Sequence, residues 1–294
     1  MIAVSISSRR HLSPTEMANT LAKTPVVLAK AGTQRLSTED TGIPPARERR
    51  EAPRFHSPDP LSPELEGQTI ELHESVAHHA LRVLRLAVGD ALTLFDGTGG
   101  EYAATLVHAD KRGATVCVER FVPIERESRL EVTLALGIAA NDAMDHALRK
   151  ATELGVTSIQ PLVSERSAPL PLGERGDKRL AHWRQVAIAA CEQCGRNRIP
   201  EVFAPQTLVD WLGAWSGGGI VFLPDADHSV TTLVQPPAPL SLLIGPAGGF
   251  DEREIAAMRA KGFFAVRLGP RVLRTETAAM AGLAVLQSLW GDWQ

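Results

Sequence analysis

Cysteine is scarce in this 294-residue chain, which carries only Cys117, Cys191 and Cys194. An odd number at uneven spacing excludes a disulfide framework and leaves reduced thiols as the expectation. Long apolar runs are missing as well. No uninterrupted stretch approaches the roughly 18 residues that cross a bilayer, and the N-terminus lacks a compact apolar segment followed by a cleavage site. A cytoplasmic protein with no membrane partner is therefore expected. Charge of one sign is also lacking: 31 Lys and Arg against 34 Asp and Glu leave a formal net charge of -3. Any contact with nucleic acid must then come from local basic patches on a near-neutral body. Neither G-x-G-x-x-G nor G-x-x-x-x-G-K-[ST] occurs, which argues against a dinucleotide fold and against a P-loop. What is present, 44% hydrophobic and 22% charged residues, suits a globular chain with a sizeable core in two domains.

Residues 1–51 mix Ser, Thr, Pro and Arg without sustained periodicity and end in the run Arg47-Glu48-Arg49-Arg50-Glu51. They read as a disordered extension whose deletion should leave activity intact; a targeting or RNA-tethering arm and an overlong translation start are the alternatives. From Gln68 to Val122 the runs are short and alternating. Leu92 to Phe95 and Tyr102 to Val107 flank Asp96-Gly97-Thr98-Gly99-Gly100, the pattern of a hairpin in a small β domain. One helix, near Ser75 to Leu86 and closed by Gly89, interrupts it, and Pro123, Glu125 and Arg126 mark a linker. The expected domains are 52–126 and 127–294. The second alternates strand (Leu130 to Ile138), helix (Asp142 to Leu154, closed by Gly155) and strand (Val156 to Leu162), a βαβ unit. A helix from Asp177 to Gly195 follows, then strands at Ile220 to Leu223 and Leu240 to Ile244. A helix from Asp251, a strand at Ala265 to Leu268 and a last helix from Thr277 to Trp290 complete an α/β domain with a largely parallel sheet.

Two segments carry chemistry. Leu242-Leu243-Ile244-Gly245-Pro246-Ala247-Gly248-Gly249-Phe250-Asp251-Glu252-Arg253-Glu254 runs from an apolar strand through a glycine loop into a helix. Asp251 and Glu254 have the spacing of a capping box. Glycines at the carboxyl end of a parallel strand let backbone approach a ligand, although an ordinary tight turn has the same composition. The second segment is Val266-Arg267-Leu268-Gly269-Pro270-Arg271-Val272-Leu273-Arg274-Thr275-Glu276-Thr277-Ala278-Ala279. Its Arg271 and Arg274 flank Glu276, so that an arginine can stabilise developing negative charge and a carboxylate can accept a proton. Structurally, Thr275 or Thr277 would cap the helix while Arg274 and Glu276 pair at the surface.

Taken together, in this order and about twenty residues apart, these segments resemble the ribosomal RNA small subunit methyltransferase E family, which methylates uridine N3 in 16S rRNA. The resemblance extends through Lys150 to Val156, Ser164-Glu165-Arg166-Ser167, Cys191 to Arg198 and His78 to Leu86, and so covers nearly everything from Pro53 onward. It implies an α/β SPOUT-type methyltransferase domain with a trefoil-knotted C-terminal chain, joined to an N-terminal PUA-like β-barrel domain. It also implies S-adenosyl-L-methionine (SAM) as methyl donor, no metal, 16S rRNA of the small ribosomal subunit as partner, and a homodimer. The SAM pocket would form from Gly245, Pro246, Gly248, Gly249, Leu268, Gly269, Leu273, Arg274, Thr275, Thr277 and Ala278. This chain departs from the family at Ala247, where a Glu is usual, and at Ala139-Ala140-Asn141-Asp142-Ala143, where a Lys- and Gly-rich stretch is usual.

Arg274 is the candidate for stabilising charge on the uracil and Glu276 for accepting or positioning its N3 proton. RNA contacts are expected from His78, Arg82 and Arg85, which share a helical face at spacings of four and three, from Arg166, and from Arg196 and Asn197 at a helix end. A solvated face and a macrodipole role are the alternatives for the stripe and the helix end. Cys191-x-x-Cys194 supplies two ligands and no more, and falls with Leu180, Trp183, Ala187 and Ala190 on one face, so these read as core thiols rather than a metal site. Ala247 and the missing lysines motivate the competing reading of a catalytically inactive RNA-binding or ribosome-assembly factor with the same fold. Another SPOUT methyltransferase, acting on tRNA or a different nucleotide, would share the knot but not the PUA-like front domain, and the His78 to Leu86 segment argues against it.

Overall fold

A computed structural model describes residues 52–169 and 173–293; the expected N-terminal extension lies outside the described residues. The first part is a five-stranded sheet of β1 (Arg54–His56), β2 (Thr69–Glu71), β3 (Ala91–Phe95), β4 (Glu101–Ala109) and β5 (Ala114–Val122) in the order β1-β3-β4-β5-β2. The expected hairpin is β3 and β4, paired antiparallel from Ala91–Thr105 to Leu94–Tyr102. Alternation along β4 and β5 turns Tyr102, Ala104, Leu106, Val116 and Val118 inward on Phe55, Leu92 and Leu94, as a strand buried on one face requires. At the hairpin, Gly100 has φ +69 and a Cβ there would lie 2.3 Å from the Phe121 ring, so only glycine fits.

The helix expected over Ser75 to Leu86 is different in kind. α1 (Glu74–His78) passes into a π-helical turn, His79–Val83, closed by Leu84 N–H donating to His79 O at 3.0 Å. Arg85 then leaves the helix at φ 57, well before Gly89. Val76, Ala77 and Ala80 still seal the β-domain core.

The second part contains β6 (Val132–Gly137), α2 (Asn141–Glu153), β7 (Ser158–Val163), α3 (Glu174–Cys194), β8 (Glu201–Val202), β9 (Gln206–Thr207), α4 (Leu208–Ala214), β10 (Gly218–Phe222), β11 (His228–Ser229), β12 (Leu240–Ile244), α5 (Glu252–Ala260), β13 (Phe264–Arg267) and α6 (Thr275–Trp290). Its strands run in the order β11-β13-β10-β12-β6-β7-β8, with β9 on β7, and every pairing is parallel. The central β12 is buried at all five positions, Leu240 to Ile244, the near-continuous apolar run of a strand covered on both faces. α4 went unread because seven residues are too short for a helical period to show.

α3 buries Trp183, Val186, Ala187, Ala190 and Cys191, as its apolar face implies, while Cys194 is half-buried. Gly195, at φ 88, closes it. α6 begins two residues earlier than expected. Neither threonine caps it: Arg274 stands at the N-cap without a side-chain cap bond, and the Thr275 hydroxyl instead donates to Gly245 O at 3.0 Å.

Arg196 and Asn197, expected to contact RNA, are buried. They are 4% and 0% exposed and form the seam between the β domain and the α/β domain. Arg196 Nη1 donates to Thr152 O (2.8 Å) and Val156 O (2.9 Å), and its Nε donates to both Glu127 oxygens at 3.1 Å. Asn197 donates to Ile124 O (2.7 Å) and accepts from Arg54 Nη2 (2.6 Å). Arg54 also pairs with Glu101, which Arg126 Nη1 reaches at 3.0 Å. Burying this much charge is tolerable because each charge meets an opposite one and nearly every polar atom is hydrogen-bonded, Arg54 Nε being the exception.

Candidate active site

In this sheet β12 lies between β6 and β10, although β6 begins the domain and β10 precedes β12 in the chain. Such a reversal of strand order opens a crevice beyond the carboxyl ends of the strands. A cavity of about 780 Å³ lies there. Its wall is built from four loops, each leaving the carboxyl end of a strand: Ala139 and Ala140 after β6, Phe222 to Ala226 after β10, Gly245 to Phe250 after β12, and Leu268 to Thr275 after β13.

The Gly245–Phe250 loop is shaped by local chemistry. Gly249 N–H donates to Pro246 O at 2.8 Å, and Gly249 adopts φ 69, a left-handed conformation suited to glycine. The expected capping box is present: Asp251 accepts from Glu254 N–H at 2.7 Å, and Glu254 accepts from Asp251 N–H at 2.8 Å. Close approach is needed on the β6 side too, where a Cβ at Gly137 would lie 2.4 Å from Pro246 N. Ala247 is exposed on the cavity wall, so the loop forms without a carboxylate at that position.

Of the residues expected to hold the methyl donor, Gly245, Pro246, Gly248, Gly249, Leu268, Gly269, Leu273, Arg274, Thr275 and Ala278 all line the cavity; Thr277 does not. One helical position is 100° of rotation, which turns Thr277 away while Thr275 and Ala278 face in. Arg274 and Glu276 both line the same cavity. Arg274 is exposed, and the surface ion pair that was the structural alternative for these two residues is not formed: neither side chain has a hydrogen bond or ion pair among the described residues. Arg271, singled out with Arg274 in the second segment, lines it too, whereas sequence reasoning missed Phe222, Asp225, Ile255 and Arg259. The signal available for Phe222 to Ala226 was its place at the carboxyl end of a third parallel strand.

The site thus combines apolar walls (Phe222, Ile244, Phe250, Leu273), the exposed backbone of a glycine loop, the carboxylates Asp225 and Glu276, and the guanidinium groups of Arg259, Arg271 and Arg274. His78, Arg82 and Arg85 are exposed on the β domain, although the π-helical turn and the break at Arg85 replace the regular α-helical stripe expected for them. Arg166 is exposed, and its Nη1 donates to Gly248 O at 3.1 Å. Burial pushes the Cys191 thiol up to about 12; among the described residues no group of three or more His, Cys, Asp or Glu side chains is arranged to hold a metal.

The family model of the RNA methyltransferase domain matches residues 126–287, and that of the RNA methyltransferase PUA domain matches residues 72–119. Fold and crevice are those of an RNA methyltransferase domain carrying a PUA-like β domain. The ribosomal RNA small subunit methyltransferase E of Buchnera aphidicola subsp. Schizaphis graminum is 34% identical over 228 residues, 77% of this chain and 93% of that protein. The protein of the same name from Neisseria gonorrhoeae, solved bound to S-adenosyl methionine, is 37% identical with a TM-score of 0.76, covering 83% of this chain and 100% of that one. A Legionella pneumophila protein solved in complex with SAM is 36% identical with a TM-score of 0.78, again covering 83% and 100%. The chain belongs to the ribosomal RNA small subunit methyltransferase E family.

Proposed function

We propose that this protein transfers the methyl group of SAM to N3 of a uridine in 16S rRNA of the small ribosomal subunit, as a cytoplasmic homodimer. The observation that carries the reading is the convergence of the Gly245–Phe250 and Leu268–Thr275 loops on one 780 Å³ cavity that also holds Arg274 and Glu276. A volume in the range of about 300–1,000 Å³ is that of a small-molecule site. The apolar walls suit a purine base, the arginines a carboxylate, and Asp225, Glu276 and the loop carbonyls a ribose or an ammonium group. SAM supplies a methyl group already activated on a sulfonium, so the chain's own task is orientation and deprotonation of the nucleophile.

In this reading Arg274, with no competing bond among the described residues, stabilises negative charge on the uracil oxygens as the N3 proton leaves, and Glu276 accepts or positions that proton. The target base must be unstacked to enter, so the substrate is folded ribosomal RNA rather than a short oligonucleotide. Residues 52–126 act as the RNA-binding domain, with the exposed His78, Arg82 and Arg85 on phosphates, and residues 127–294 as the transferase. A second copy would cover Val272, an apolar side chain 80% exposed at the cavity rim. The test is incubation with labelled SAM and unmethylated small subunits, followed by nucleoside mass spectrometry. 3-Methyluridine that disappears in Arg274→Ala is expected. No transfer and no SAM binding, beside a competent positive control, would favour the RNA-binding factor.

A further inference from the structure

The Ser164–Ala168 turn after β7 contributes no residue to the cavity wall, yet it is fastened to two segments that do. Ala168 N–H donates to Ile138 O at 3.1 Å, immediately before Ala139. On the other side, Glu165 N–H donates to Glu254 Oε1 at 2.9 Å while Glu254 Oε2 accepts from Asp251 N–H at 2.8 Å. This carboxylate, 8% exposed, therefore ties the turn to the end of the glycine loop. Arg166 completes the brace. Its Nη1 donates to Gly248 O at 3.1 Å, and its aliphatic stem lies against the glycine, where a Cβ would come within 2.9 Å of Arg166 Cβ. The turn is itself rigid, with Ser167 N–H donating to Ser164 O and Ser164 N–H to Ser167 Oγ at 2.9 Å.

We propose that Arg166 is a positioning residue for the methyl-donor pocket, holding the Gly248 peptide from outside so that the glycine loop is set before the donor arrives, rather than an RNA contact. This rests on the function proposed above. A loop rich in glycine loses more entropy on ordering than any other, so a brace already present in the free protein lowers the cost of binding. The expectation reverses the assignment of Arg166 to RNA.

The experiment compares wild type, Arg166→Ala and Arg166→Lys in two measurements. Without ligand, hydrogen exchange of the peptide spanning residues 245–251 should quicken about three- to tenfold in Arg166→Ala and return toward wild type in Arg166→Lys, which retains one donor and most of the stem. In titration calorimetry the Kd for SAM should rise about five- to tenfold in Arg166→Ala. At saturating SAM, kcat and the KM for small subunits should stay within about twofold of wild type. Unchanged exchange and unchanged SAM affinity, or a raised KM for small subunits alone, would overturn the proposal. Wild-type protein that takes up no SAM would sink the methyl-donor reading instead, while the exchange measurement would still decide whether Arg166 orders the loop.

Discussion

Replacing Arg196 by alanine is the sharpest test of the seam between the domains. The side chain is 5% exposed and donates to two carbonyls and a carboxylate; its partner Glu127 is 20% exposed. Removing it strands the Val156 carbonyl, takes one of two donors from Thr152 O, which keeps Gly155 N–H at 3.1 Å, and leaves Glu127 without its cation. Breaking a buried pair costs about 3–5 kcal/mol, and the residual exposure of Glu127 places this one near the lower end, about 3 kcal/mol. For a folded unit of this size, at about 2–4 °C per kcal/mol, the Tm should fall by about 6–12 °C. Thermal unfolding followed by circular dichroism reads this directly, with a urea titration to check that one transition is being measured. Arg196→Lys should recover less than half, because a single ammonium cannot reach carbonyls and carboxylate in the planar fork that guanidinium offers. A Tm within about 2 °C of wild type, coupled with loss of small-subunit binding, would refute the reasoning and return Arg196 to the RNA-binding surface.

Gly282→Ala should destabilise, although helix propensity alone favours alanine by about 1 kcal/mol. The new Cβ would lie 2.4 Å from Phe222 Cε2 and 2.9 Å from Leu242 Cδ2, an overpacking cost of about 1–3 kcal/mol; a Tm that rises would show α6 to be loosely seated. Cys191, its thiol pushed up to about 12 by burial, should resist alkylation in native protein at neutral pH while Cys117 and Cys194 are modified, and equal labelling of all three by peptide mapping would refute this. Burial would raise the Glu101 carboxyl, but the Arg126 and Arg54 guanidinium groups outweigh it and hold it below the ordinary glutamate value. Its contribution to stability is therefore present above the unfolded value near about 4.3 and lost as pH falls through the lower folded value. Glu101→Gln should flatten the acid limb of the stability curve, and an unchanged slope would contradict the pairing.

Where an element depended on its immediate neighbours in the chain, the residues were legible. β12, the glycine loop and the Asp251–Glu254 box form one local run, and the β3–β4 hairpin announces itself by alternation around Asp96 to Gly100. The two loops expected to hold the donor do line one cavity. Errors fell where a partner distant in sequence decided the outcome. Arg196 and Asn197 look like a basic helix end, yet Glu127, Thr152, Ile124 and Arg54 claim them from 40 or more residues away. Thr275 has the composition of a cap but spends its hydroxyl on Gly245 O, 30 residues upstream.

Sequence alone determined the longer strands and helices of the α/β domain, though not α4 or the two-residue strands β8, β9 and β11, together with the two glycine-bearing loops and the family resemblance, because hydrophobic period, turn chemistry and motif spacing are written in consecutive residues. Tertiary structure decided the insertion of β12 between β6 and β10, and with it the convergence of four loops on one crevice. It also decided which charges are buried at the seam and which remain free at the cavity. Those outcomes depend on where segments far apart in the chain meet, and on whether each polar group finds a partner there before it can be taken from water.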